Sequence, residues 1–169
     1  MESLSEATFA EFIQYNNWAN QRVLEACLKL NDGQLAASMP GAYGTIRDTL
    51  EHIIRGEAGY VKLLTGNRPQ PAFKWQDRPS LTEVADYAAR VGDALQEAAR
   101  HISAAQTIYQ EWGGKPTSYR ALALFIQIVN HGVEHRTNIT TILNQMQQTP
   151  PDVDGWSYMW SHPDRFDVK

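Results

Sequence analysis

Apolar side chains recur every three or four residues in four long stretches of this chain, the period of an amphipathic helix. The first stretch runs from about Ala7 to Leu30, with Phe9, Phe12, Ile13, Val23, Leu24 and Cys27 as its repeating set. Asn31-Asp32-Gly33 ends it, with Gly33 suited to a left-handed cap or turn. The second begins at Thr45, an expected N-cap, carries Ile46, Leu50, Ile53, Val61 and Leu64, and stops at Gly66. Ser80 caps the third, with Glu83 completing a capping box ahead of Val84, Tyr87, Val91, Leu95 and Ile102. The fourth spans about Arg120 to Gln147 and is closed by Pro150-Pro151.

Between these stretches the pattern changes. Gly66 to Pro79 has three prolines and no apolar period, a connector long enough to cross the molecule or line a site. Thr107 to Tyr119, broken by Gly113-Gly114, reads as a short hairpin or an extended excursion. The tail from Asp152 is aromatic but aperiodic, and is expected to pack across the surface of the helices. The architecture expected is all-α, a four-helix bundle with a long crossover, in one domain over residues 1–169.

Composition narrows the function. A length of 169 residues with 43% hydrophobic and 20% charged content describes a folded globular chain. A net charge of −4 argues against a bulk electrostatic grip on nucleic acid or an anionic membrane. The longest apolar stretch, Ala121 to Val129, is about half the length of a membrane span. The N-terminal residues do not read as a secretory signal, so a cytoplasmic location is expected. The single cysteine, Cys27, excludes an internal disulfide and any cysteine-based zinc motif, and reads as a small buried hydrophobe.

Chemistry concentrates in the five histidines. His131 and His135 lie one turn apart on the fourth helix, with β-carbons about 5–6 Å apart. At about 100° per residue, Leu124, Ile128, Ile139, Ile142 and Met146 fall within about 80° of His131, so the pair lies in the inward stripe. Such a pair either hydrogen-bonds its neighbours or holds a metal. His52, flanking the apolar face of the second helix, is the candidate third ligand. Gly56 and Gly59 share its sector, through space kept open or through close helix packing. His101 reads as structural or solvated and His162 as exposed.

Other metal motifs fail. The position after His131 is Gly132, not the glutamate of a zincin, and no histidine has a glutamate three positions before it as a di-iron bundle requires. Three imidazoles without a thiolate leave a tetrahedral ion one open position, the arrangement of a catalytic site. Zinc, nickel, copper and iron(II) all accept such ligands.

Further polar residues fall on inward faces. Asn16 and Asn20 share the face of Ile13 and Val23, and either line the pocket and orient a ligand or bond between helices. Glu57 is a candidate hydrogen-bond acceptor behind the ligands, a general base, or a structural link to another helix. Asp48, one turn before His52, is placed to accept its ring N–H. Gln127 and Asn138, one turn beyond each end of the histidine pair, are candidates to support the ligands or touch substrate. Trp18 points away from the core face, toward the aromatic tail or a dimer contact.

These residues resemble the DinB family (DinB/YfiT-like metalloenzyme-type proteins) over nearly the whole chain. Val129-Asn-His-Gly-Val-Glu-His-Arg136 resembles the family's late H-x-x-x-H-R signature, and Tyr15-Asn-Asn-Trp-Ala-Asn20 its early segment. His52, following Thr49-Leu50-Glu51, matches the first metal histidine, and Asp154 to Tyr158 fits a further short motif. The resemblance implies a bundle in up-down-down-up order, often dimeric, with a divalent ion held by His52, His131 and His135. Zinc or nickel leads, with iron as a further candidate. Some relatives transfer low-molecular-weight thiols such as bacillithiol, or use mycothiol in isomerisation.

Two functions of different class follow. The leading expectation is a metal-dependent enzyme acting on a small molecule, most concretely a thiol S-transferase. The other is a non-enzymatic metal-binding stress or damage-response protein in which the ion is structural. A nucleic-acid-binding module ranks third on charge grounds.

Overall fold

The computed structural model describes residues 6–70, 76 and 78–166. It is mostly helical with one small two-stranded sheet: α1 (Glu6–Cys27), α2 (Asp32–Leu35), α3 (Ile46–Thr65), α4 (Leu81–His101), β1 (Thr107–Trp112), β2 (Lys115–Arg120), α5 (Ala121–Gln145) and α6 (Gly155–Ser161). Helices α1 and α3 each pack against both α4 and α5. Their inward stripes bury one continuous core that includes Ile13, Val23, Ile46, Ile53, Val84, Val91, Leu95, Ile128 and Ile139.

Helix boundaries follow local chemistry. Thr45 caps α3 and Ser80 caps α4, each in a reciprocal box with the residue three positions on. Gly66 ends α3 in the left-handed region, φ 85°. Gly33 behaves differently from expectation. It lies inside the four-residue α2 that Asn31 caps, and keeps an ordinary helical φ. Helix α5 has no side-chain cap, and its first amides are bound instead by the loop before the hairpin, Ala121 N–H to Gln106 O at 2.8 Å and Leu122 N–H to Ala104 O at 3.0 Å. It ends two residues earlier than expected, at Gln145, where Gln147 turns the backbone left-handed.

The hairpin forms as the glycine pair suggests. Trp112 pairs with Lys115 across Gly113 and Gly114, which both take positive φ, 57° and 76°, as a two-residue turn between twisted strands requires. The anticipated site role of the 66–79 connector falls partly on residues 71–75 and 77, outside the described residues. Its two ends are anchored, Tyr87 Oη donating to Pro69 O at 3.2 Å and Arg47 donating to Pro79 O.

The tail is more ordered than its lack of period suggests. Asp154 accepts the Ser157 amide at 2.7 Å and starts α6, a helix too short to show a period. Buried Tyr158 donates to Glu11 Oε1 at 2.6 Å, Arg165 also reaches Glu11, and Tyr15 Oη binds Val153 O at 3.0 Å. Trp18 is covered by this tail, its ring 5.3 Å from Tyr158 and 6.3 Å from His162. His162 is therefore half-buried rather than exposed, and bonds Tyr158 O through Nδ1. Phe12, expected in the core set, is 50% exposed because Ile13 takes the inward position and its neighbour points about 100° away.

Candidate metal centre

His52 lies in the middle of α3, and His131 and His135 in the middle of α5, which packs against it. One ligand atom from each of the three comes within 4.8 Å of the others. The Nε2 atoms of His52 and His131 are 3.0 Å apart, and ring centroids are separated by 4.5–4.9 Å. Two ligands of a tetrahedral ion at about 2.0–2.1 Å stand about 3.3 Å apart, so the pair is already close to the edge of such a site. His131 and His135 are buried while His52 is half-exposed at the mouth.

Electrostatics keep the donors neutral. Burial pushes the His131 pKa down to about 4, helped by His135, His52 and Arg136. Burial also lowers His52, with His135 and Arg55 adding and Glu134 opposing, and lowers His135 against the same glutamate. Neutral imidazole is the form that binds a cation. The Nδ1 atoms of His131 and His135 are buried without a hydrogen-bond partner, and the His131 ring bonds through its Nε2 to a fellow candidate ligand, His52. The donor set and its spacing could hold a metal ion.

Glycine and tyrosine shape the surroundings. Gly56 gives the His131 ring its room: a Cβ there would stand 3.1 Å from Cε1. Gly59 has no such neighbour, since an added Cβ meets only Arg68 at 4.0 Å. Tyr43, 54% exposed as a residue, stacks on His52 at 3.9 Å, and Tyr60 meets the His131 ring edge-on at 5.8 Å. A pocket of about 340 Å³ opens beside His52, lined by Tyr43, Gly44, Asp48, Glu51 and Arg55.

The remaining sequence candidates fall into two groups. Asn16, Asn20 and Glu57 join a buried network: both asparagine Nδ2 atoms donate to Glu57 Oε1 at 2.7 and 2.8 Å, and both Oδ1 atoms accept from Arg136 Nη1 at 2.8 and 2.7 Å. The helix-to-helix reading of these residues describes their bonds. Burial pushes the Glu57 carboxyl up, against the two asparagine bonds and the Arg136 charge. The others stand apart. Asp48 lines the pocket, but its carboxylate accepts from Thr45 Oγ1 at 2.7 Å in the helix cap rather than from His52. Asn138 reaches the site indirectly, its Oδ1 accepting the Tyr43 amide at 3.0 Å, while Gln127 is exposed.

No role for Tyr43, Tyr60 or Arg136 is legible in the helical pattern. Tyr43 lies in an aperiodic loop. Arg136 sits about 100° round the helix from His135, and its burial shows only once α1 is packed beside it.

A model of the DinB family matches residues 3–166. The chain belongs to the DinB family. A curated relative, Protein DinB from Bacillus subtilis (strain 168), is 23% identical over 158 residues, covering 87% of this chain and 91% of its own. Among solved structures, a DinB-like protein from Bacillus cereus ATCC 10987 superposes with a TM-score of 0.66 at 21% identity, covering 88% of this chain and 97% of that one. At that identity the likeness shows the DinB fold alone. Within it, His52, His131 and His135 are the residues that converge between α3 and α5.

Proposed function

We propose that this DinB-family protein binds a divalent metal ion, zinc or nickel ahead of iron, through His52, His131 and His135, and that the centre is catalytic. One observation carries the reading: ligand atoms of three imidazoles converge within 4.8 Å, and one of the three, His52, lines an open pocket. A closed structural site uses four protein ligands, whereas three leave a position for another molecule.

The most concrete activity is transfer of a low-molecular-weight thiol to an electrophilic small molecule. His52, His131 and His135 would hold the ion, whose positive charge would lower the pKa of a bound thiol and favour thiolate near neutral pH. The chain's own residues do the rest. The lowered histidine pKa values keep the ligands unprotonated, Tyr43 walls the site, and Arg55 lines the pocket beside Glu51, which is buried and paired with Arg47 at 2.9 Å. The same reading takes the long helices as a four-helix bundle in up-down-down-up order, a single domain over residues 1–169 that pairs as a homodimer. Among the described residues no helix is long and apolar enough to cross a membrane.

Tag-free protein loaded with zinc or nickel is mixed with low-molecular-weight thiols and an aryl halide, and the thioether is followed by absorbance. Turnover that disappears in His131→Ala supports the transferase. Metal retention with no turnover above that control overturns it in favour of the non-enzymatic role.

A further inference from the structure

The buried network of Asn16, Asn20, Glu57 and Arg136 lies beside the histidines in a way their covalent sequence explains. On α5, each histidine is followed at once by a member of the network's packing: Gly132 after His131 and Arg136 after His135. The histidines face α3 while the next residues, about 100° further round, face α1. On α3, Gly56 packs against His131 and its neighbour Glu57 closes the network from the other side.

All four network residues are buried, with Arg136 2% and Glu57 1% exposed. Asn16 and Asn20 stand between Arg136 and Glu57 and bond to both, so the four buried side chains are held to one arrangement. That arrangement links α1, α3 and α5. Rotating α5 enough to swing His131 and His135 off His52 breaks the bonds from Arg136 Nη1.

From this we infer that the network is a positioning device for the three-histidine centre: it sets the rotation of α5 at which the ligands converge, and so governs how tightly the ion is held. The inference rests on the three-histidine reading and deepens it. Arg136, Asn16, Asn20 and Glu57 are positioning residues and touch neither ion nor substrate. Gly132 is the sequence mark of the device, because a Cβ there collides with Asn16 Oδ1 and comes within 2.5 Å of Arg136 Nη1.

Gly132→Ala tests this with every ligand in place. Alanine is the better helix former, so without the network's constraint the change is neutral or stabilising. Asn20→Ala is the second variant, removing one arm without inserting bulk. Zinc affinity is measured by chelator competition on tag-free full-length protein, with cobalt(II) absorption read on the same samples and helicity checked by circular dichroism. The expected result is zinc binding weaker by about 10- to 100-fold in both variants, the range for residues that orient ligands, with altered cobalt bands and native helicity. Should Gly132→Ala fail to fold, Asn20→Ala decides. Wild-type affinity and cobalt bands in folded variants overturn the positioning role and leave the three-histidine reading standing. A wild-type protein that binds neither ion overturns both.

Discussion

Gly56 on α3 and His131 on α5 approach so closely that a β-carbon on the glycine would stand 3.1 Å from the imidazole Cε1. The contact sets how far the His131 ring can tilt against α3, and it uses the absence of a side chain to do so. Gly56→Ala is therefore expected to separate two effects. Helix propensity gains up to about 1 kcal/mol, while the ring must shift by tenths of an ångström. Thermal melts of metal-free protein are expected to show unchanged or raised stability. Zinc titration is expected to show affinity reduced by about tenfold, equivalent to about 1.4 kcal/mol. Unchanged affinity contradicts the contact's role.

Asp48 separates cap from site. Its carboxylate accepts from both the hydroxyl and the backbone amide of Thr45, at 2.7 and 3.4 Å. Asp48→Ala is expected to lower stability by about 1 kcal/mol, the cost of a lost cap interaction, and to leave zinc affinity at the wild-type value. A large loss of affinity with intact stability would instead give Asp48 the ligand-orienting role that its spacing from His52 suggests.

One phenol among the tail's anchors is buried. Tyr158 donates to Glu11 and stands among Tyr15, Trp18 and Phe166. Tyr158→Phe keeps the ring and removes the bond, costing about 1 kcal/mol and about 2–4 °C in melting temperature for a chain of this size. Limited proteolysis is expected to cut the C-terminal segment sooner in the variant. Equal cutting rates and equal melting temperatures contradict the clasp.

Cys27 gives a pH dependence with a definite sign. Burial pushes its thiol up to about 12, above the ordinary value of about 8.5 that the unfolded chain recovers. Between those values the unfolded state releases a proton that the folded state keeps. The stabilisation is therefore complete below pH 8.5 and is lost as pH rises toward 12, by at most about 1.4 kcal/mol per pH unit. Native protein at pH 8 is expected to react with a thiol reagent only as fast as it unfolds, and Cys27→Ala to flatten the alkaline limb of the stability curve. Rapid native labelling contradicts this.

Legibility in the sequence followed the range of the interaction. Caps and periods act within one turn, so Thr45, Ser80 and Gly66 were readable directly, as was the inward stripe holding His131 and His135. Helical phase alone misjudged Phe12, because burial depends on which neighbour occupies the facing groove, and the cap expected at Gly33 failed because Asn31 starts a new helix there instead of a turn. Phase also marked Gln127 as a neighbour of the site, yet that side chain is exposed. The Arg136 bonds to Asn16 and Asn20 span 120 and 116 residues, and no local pattern reports such partners. Tyr43 was hidden for a related reason: its place over His52 is fixed by a backbone bond to Asn138, 95 residues away.

Elemental analysis of protein purified without a histidine tag, beside His131→Ala prepared identically, tests the central claim most directly. A divalent ion held by His52, His131 and His135 predicts about one equivalent of one transition metal per chain in the wild type, and its loss in the folded variant. Metal-free wild-type protein that also fails to take up added zinc, nickel or iron, or equal metal content in both proteins, would contradict it.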